Sequence, residues 1–498
     1  MSDAARTAPG KSVLLLSLPN FDRRYMFHKE MGSGVGFKSL RAPHNQARPR
    51  QVYPIAELQY AAAVLREAGH DPVIDDDQYR DSTERSAYRK ALKARCESPS
   101  AVFVRTSLPT LFLDLEQAAT LKELYPGARL YIFGPLFAAP EMVDFVKSKR
   151  IYDGVVASEI EAVILDIVEG RDPAEIQGLH VLEKGSYRCG DPTRALTDMQ
   201  HLPMPAYDLV DTDRVDRYMV QTSRGCPIGC TYCPYFISQG NKFRAKTAER
   251  ALEEFRHLAK SFGAKRVIIH DPIFTLDRKR IERLCELLIE ADLGIEWECE
   301  SHMNHLDPEL IGLMYRAGLR ILAFGVESAN EEVLKRANRR FKNWERMKEN
   351  IDAAKALGVE TRAYFILALP GDTVEGAYST MELAQFLGAD LSKFNLPNPY
   401  PGTGAYATAL AEGWLDRELY DSDRDAFYRA RGLHGHGEPS MTPEISDLQA
   451  QYLSRIGNHR VLMSRESGLK LTRRSKILAY RAAVQGIGAL RQAGLRVG

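Results

Sequence analysis

The chain of 498 residues has no apolar run close to the roughly 18 residues that a membrane-spanning helix requires. A helical membrane protein is therefore not expected. It has almost no net charge: 67 Lys and Arg stand against 66 Asp and Glu, a formal +1. That balance gives no global pull toward nucleic acid. Cysteine is sparse and odd in number, seven in all, which speaks against a disulfide scaffold and for a reducing cytoplasm. A phosphate loop is missing, since "GSGVG" (32–36) is not followed by Gly-Lys-Ser/Thr. The early apolar stretch "SVLLLSLP" (12–19) ends at a proline without a small-residue cleavage pattern. It reads as a first strand and not as a signal peptide. No internal repeat or low-complexity tract is present.

What is there falls into two alternating series. In residues 1–170, apolar strand-like runs at 12–19, at the end of "IAELQYAAAVLREAGHDPVIDD", and at 101–107, 128–134 and 152–158 alternate with helical patterns. Five such units predict an α/β, doubly wound, flavodoxin-like domain, with ligands expected beyond the C-terminal strand ends. Residues 171–217, rich in turn signals, read as a linker. A second series over 218–405 has six strand-like runs separated by helices. It predicts a partial parallel (β/α)6 barrel, whose chemistry belongs at the C-terminal strand ends. Residues 406–498 read as a helical extension. From 451 onward it carries ten Lys and Arg against Glu466 alone. A helix packed on the barrel with a solvated basic face is the favoured reading, and peripheral membrane contact is the alternative.

The chemistry concentrates in "SRGCPIGCTYCPY" (223–235), directly after the first strand of the second series. Cys226, Cys230 and Cys233 follow a C-x3-C-x2-C spacing and no fourth cysteine lies nearby. Structural zinc and ferredoxin clusters take four ligands. Three thiolates suit a 4Fe-4S cluster with one iron left open for a ligand. The loop resembles the signature of the radical S-adenosylmethionine (SAM) superfamily, C-x3-C-x-aromatic-C, with Tyr232 at the aromatic position. The resemblance implies that the open iron binds the amino and carboxylate groups of SAM. An external one-electron reductant of flavodoxin or ferredoxin type then drives cleavage to a 5′-deoxyadenosyl radical, which takes hydrogen from the substrate. Other segments resemble the superfamily more loosely. "IIHDPIFT" places Asp271 toward the SAM amino group. "FGVESAN" offers Glu327 and Ser328 to polar groups of SAM. "ALPGDT" offers Gly371 for close backbone approach, with Asp372 where the family has Glu, and "NPYPGTGAY" (398–406) resembles its closing Pro-Gly-Thr turn. No catalytic side chain is assigned; His28 and His302 are weaker acid–base candidates.

A doubly wound domain ahead of such a barrel resembles the cobalamin-binding subgroup. In that subgroup the corrin faces SAM and often carries a methyl group to an unactivated carbon. The resemblance covers residues 12 to about 405. It is incomplete: the cobalt-ligating Asp-x-His-x-x-Gly is absent, the turn after the fourth strand reads "FGPLFAAP" with Gly134 alone, and Gly-Glu-Gly-Glu reads "ASEIEA" around Glu159. The expectation is a C-methyltransferase acting on a small-molecule or natural-product substrate, with a 4Fe-4S cluster, SAM and cobalamin as cofactors. Ring formation or oxidation with the same cofactors is the alternative outcome. Methylthiotransfer would need a second three-cysteine set in the first domain, which has only Cys96. An iron–sulfur electron carrier or interaction protein is the non-catalytic alternative.

Overall fold

The computed structural model describes residues 10–19, 25–28, 37–40, 54–76, 84–211, 215, 217–339, 343–430, 440–465 and 471–492. The side chains of the hairpin at 25–40, His28 included, and most of the basic side chains after Arg455 lie outside the described set. Two compact units emerge: Met1–Arg224 with Ile237–Gly240, and Gly225–Phe236 with Asn241–Gly498.

The first unit is built on strand β1 (Ser12–Ser17), a small hairpin of β2 (Tyr25–His28) and β3 (Phe37–Leu40), then β4 (Asp71–Asp76), β5 (Ala101–Arg105), β6 (Arg129–Phe133) and β7 (Gly154–Val156). The main sheet runs β4-β1-β5-β6-β7, all parallel. Leu14, Leu15, Leu16, Phe103 and Val104 are fully buried. A strand covered on both faces must be apolar throughout, which explains the unbroken runs in the sequence. Strand order reverses between β1 and β5, the point where ligands bind in such sheets.

Residues 171–217 do more than link. Strands β8 (Leu179–Glu183) and β9 (Ser186–Cys189) extend the sheet in antiparallel fashion from β7. The two-residue turn between them, Lys184 and Gly185, has φ of 48° and 82°. That is the primed-turn geometry that closes hairpins. Only Leu179 and Val181 of β8 are buried, so the strand lacks the strong apolar signal of its neighbours.

The second half follows β10 (Tyr218–Val220), β11 (Ser223–Arg224) and β12 (Arg244–Ala245) with β13 (Arg266–Ile269), β14 (Glu296–Ser301), β15 (Leu319–Glu327), β16 (Glu360–Ile366) and β17 (Leu391–Asn395). The strand order is sequential from β10 to β17 without the short β11–β12 pair. From β13 onward every neighbouring pair is parallel. The architecture is the partial barrel expected. Its helices begin at side-chain caps: Thr247, Asp277, Asp307, Asn343 and Thr373 each accept a backbone N–H of the first turn. Helix Asp447–Arg465 blunts the edge of β17, where Ser454 and Asn458 bond the Phe394 backbone at 2.8–2.9 Å. Among the described residues, no helix is long and apolar enough to cross a membrane.

Candidate active site

The cysteine loop belongs to the second unit. Turn residues Gly225 and Gly229, at φ of 84° and 68°, let the chain reverse sharply on either side of Cys226. The segment after helix Glu331–Arg336 clamps the loop. Asn338 donates to the carbonyls of Ile228 and Gly229 at 2.9 and 3.0 Å, and Thr231 donates to Ala337 O at 3.0 Å. From the other side Ala405, in the "NPYPGTGAY" turn, donates to Thr231 O at 2.9 Å. That turn also caps its own helix through Thr403. The three thiols feel one another. Burial pushes all three up, Cys233 to about 12, with the charge of Cys230 next among the causes. Backbone N–H groups of Ile228, Gly229 and Tyr235 point at the sulfurs of Cys226 and Cys233 and favour their thiolates. Among the described residues no three His, Cys, Asp or Glu converge on a single metal ion. A four-iron cluster takes each thiolate on a different iron, so buried, mutually repelling thiols with inward N–H donors fit it better than a lone zinc.

Arg339 is the residue that sequence reasoning missed. Its guanidinium donates to Gly325 O at 2.7 Å, lies 3.9 Å from Glu327 and hydrogen-bonds Cys230. Glu327 is drawn into this group by a register shift in β15 and a φ of 70°, rare for a residue with a side chain. Burial pushes its carboxyl up, while Arg339 and a hydrogen bond from the Tyr232 hydroxyl pull it down. A Cβ on Gly325 would sit 2.2 Å from Glu327 Oε1, so a larger residue there would push the carboxylate aside. Thus Cys230, Tyr232, Glu327 and Arg339 form one contact group. Glu327 does not cap the following helix; Asn330 does. Ser328 turns away, to Asn330 N at 3.1 Å and the Thr380 hydroxyl at 3.5 Å.

The remaining expected residues occupy separate places. Asp271 is fully buried after β13 and lies 3.8 Å from Arg280. It is not the helix cap either, since Asp277 fills that role. Gly371, at φ 87°, presents its missing side chain to Arg336, 2.9 Å from where a Cβ would stand. Asp372 folds its own turn, accepting from Ala368 N at 2.8 Å and Thr373 N at 2.9 Å. Glu300, not anticipated, faces the open inner side of β14, whose alternate residues Trp297, Cys299 and Ser301 are buried. Desolvation, with Glu298 nearby, pushes it up to about 7, and Tyr235 hydrogen-bonds it. His302 accepts from Asn304 N at 3.2 Å, and burial drives it down to about 2. Its ring thereby caps the short turn that follows.

In the first unit, the crevice at the β1/β5 switch collects buried polar groups. Ser17, Thr106, Ser107, Thr110 and Asp114 are all 2% exposed or less. Ser107, Thr110 and Asp114 form a hydrogen-bonded run, 3.0 Å between the hydroxyls and 2.8 Å to the carboxylate. Gln59, on helix Ala56–Glu67, is 1% exposed and neither atom of its carboxamide finds a partner. A buried amide left unsatisfied is costly. It fits a ligand rich in amides, as the corrin rim is. Gly134 is required by the protein itself, since a Cβ there would meet Thr106 O at 2.3 Å.

A three-thiol loop at the mouth of a partial parallel barrel defines an iron–sulfur enzyme of the SAM-cleaving class. Residues 220–384 match the family model of the Radical SAM superfamily. An uncharacterized methyltransferase of Pyrococcus horikoshii is 28% identical over 375 residues, 73% of this chain and 80% of that one. The anaerobic magnesium-protoporphyrin IX monomethyl ester cyclase of Rubrivivax gelatinosus is 23% identical, over 81% of this chain and 72% of its own. Among solved structures, the radical SAM methyltransferase TsrM of Kitasatospora setae, with cobalamin and a 4Fe-4S cluster bound, superposes with a TM-score of 0.63 at 18% identity. The match covers 80% of this chain and 78% of TsrM. The cobalamin-dependent radical enzyme OxsB follows at 0.59 and 16%, covering 87% of this chain and 58% of OxsB. At these identities the structural matches speak for the fold.

Proposed function

We propose that the chain is a cobalamin-dependent radical SAM enzyme that methylates an unactivated carbon of a small-molecule or natural-product substrate. The observation that carries the reading is the contact group of Cys230, Tyr232, Glu327 and Arg339 on a three-thiol loop at the strand ends of a barrel matched to the superfamily. Cys226, Cys230 and Cys233 hold the cluster. Arg339, a buried guanidinium against a cluster thiol, offers a two-armed partner to the SAM carboxylate. Glu327, supported by Tyr232, receives N–H or O–H groups of SAM. Asp271, after β13, and Gly371, after β16, serve its amino group and backbone-close portions. When bound, the cluster supplies the electron that cleaves SAM, and cobalamin supplies a methyl carrier. Ser107, Thr110, Asp114 and Gln59 provide donors and acceptors for the cobalamin side chains.

The electron comes from a flavodoxin- or ferredoxin-type reductant, and seven free cysteines suit a reducing cytoplasm. No nucleic-acid partner is expected. The basic C-terminal helices provide at most a peripheral membrane contact. The cyclase relative, which aligns over 81% of the chain, favours ring formation as the second reading with the same cofactors.

Anaerobic reconstitution tests the core of this reading. About four irons per chain and SAM-dependent release of 5′-deoxyadenosine after reduction are expected. Stoichiometric zinc with no SAM cleavage would overturn it. Transfer of label from methyl-labelled SAM separates methylation from cyclisation, and co-purification of corrin tests cobalamin.

A further inference from the structure

Buried charge in the first unit gathers around Arg224. Its guanidinium stands 3.0 Å from Glu159 and 2.5 Å from Glu161, and all three side chains are 6% exposed or less. Its Nε donates to Gln221 Oε1 at 2.7 Å, and the group lies over the Tyr60 ring at 5.8 Å. Glu159 also accepts from Thr197 N at 2.7 Å. Two carboxylates on one guanidinium exceed what neutrality asks. Burying such a set gains little stability over apolar packing, while it holds the guanidinium between two carboxylates.

The position is informative. Arg224 lies two residues before Cys226, with Gly225 alone between them. Gly225 has a φ of 84°, so the chain turns there into the loop. Glu159 and Glu161 are the acids of "ASEIEA", the segment that departs from the cobalamin-subgroup pattern in its glycines and keeps both glutamates. Here those glutamates bind protein.

We propose that Arg224 is a positioning residue: gripped by Glu159 and Glu161, it fixes where the chain enters the cysteine loop and thereby where the Cys226 thiol stands. The role in catalysis rests on reading Cys226 as a cluster ligand.

The test uses full-length Arg224→Lys, which keeps the charge and loses the planar fork, Arg224→Gln, and the milder Glu161→Gln. Asp75→Asn is the control. It alters a fully buried carboxylate of the same unit that binds Tyr88 and Arg95 at 2.9 and 3.2 Å. In metal-free protein, alkylation of each cysteine by iodoacetamide is timed by mass spectrometry. Cys226 is expected to react on the order of tenfold faster in the Arg224 variants, the factor that follows from losing about one good contact. It should react at the wild-type rate in Asp75→Asn, while buried Cys285 stays slow throughout. In reconstituted protein, the electron paramagnetic resonance signal of the reduced cluster, and its change on adding SAM, should differ from wild type in Arg224→Lys and not in Asp75→Asn. Wild-type Cys226 labelling in the Arg224 variants overturns the proposal. Equal acceleration in Asp75→Asn overturns it too, since loosening would then be global. If the wild-type protein assembles no cluster, the functional reading fails, and the labelling still decides the role of Arg224.

Discussion

Asp372 is expected to make the second unit less stable as pH rises, and Asp372→Asn should remove that dependence. The carboxylate is fully buried, and its two oxygens accept one backbone N–H each, at 2.8 and 2.9 Å. Burial pushes it from 3.8 up to about 6, against the downward pull of those two bonds. The folded value lies above the unfolded one. Between about pH 4 and 6 the native state therefore holds more protons, and stability falls as pH rises. A shift of about two units corresponds to about 3 kcal/mol. Asparagine does not titrate. It keeps one acceptor and turns an NH2 toward the second N–H, which costs about 1–3 kcal/mol. The variant should thus be the weaker protein at pH 4. By pH 7 the wild type has lost about 3 kcal/mol that the variant keeps, so the two curves meet or cross.

The assay is urea unfolding followed by tryptophan fluorescence. All three tryptophans, Trp297, Trp344 and Trp414, belong to the second unit, so the signal reports that unit alone. A difference in stability between the two proteins that stays constant from pH 4 to 7 refutes the argument.

The two sheets were legible because strands covered on both faces must be apolar from end to end. "SVLLLS" and "AVFVR" could be little else. The hairpin of β8 and β9 was hidden because an edge pair buries only alternate residues and its turn, Lys-Gly, is not among the strongest hairpin pairs. The cysteine loop stood out by its spacing, its place directly after a strand and Tyr232. Arg339 was not, because "KRANRR" offers Arg336, Arg339 and Arg340 with nothing local to choose among them. What selects Arg339 is the three-dimensional kink of β15 at Gly325, which brings a carbonyl and Glu327 to it. Glu300 carried a readable signal, an acid alternating with Trp297, Cys299 and Ser301 on a strand, which places it on the inner face. Ser328, offered by the motif as a group for SAM, accepts the Asn330 N–H in the fold.

Further expectations concern individual contacts. Gly325→Ala would drive a Cβ to 2.2 Å from Glu327 and 3.0 Å from Arg339. Calorimetric SAM affinity should fall on the order of tenfold or more while iron content is retained. Trp297→Phe removes the 2.8 Å bond from Nε1 to the Ala317 carbonyl, at a cost of about 1–2 kcal/mol in urea melts. The buried pair of Lys246 and Glu254, 2.5 Å apart and 0% exposed on both sides, gives the sharpest case. Glu254→Leu strands an ammonium in the interior and should cost about 3–5 kcal/mol. Lys246→Met together with Glu254→Leu should restore most of that loss, because the penalty belongs to the uncompensated charge and not to the missing attraction. Arg250, 3.5 Å from Glu254 and still 12% exposed, keeps a route to water when the acid is gone, so the pair can be removed without trapping a second cation. A double variant as unstable as Glu254→Leu would mean that the pair itself, and not the relief of a stranded charge, holds this part of the barrel together.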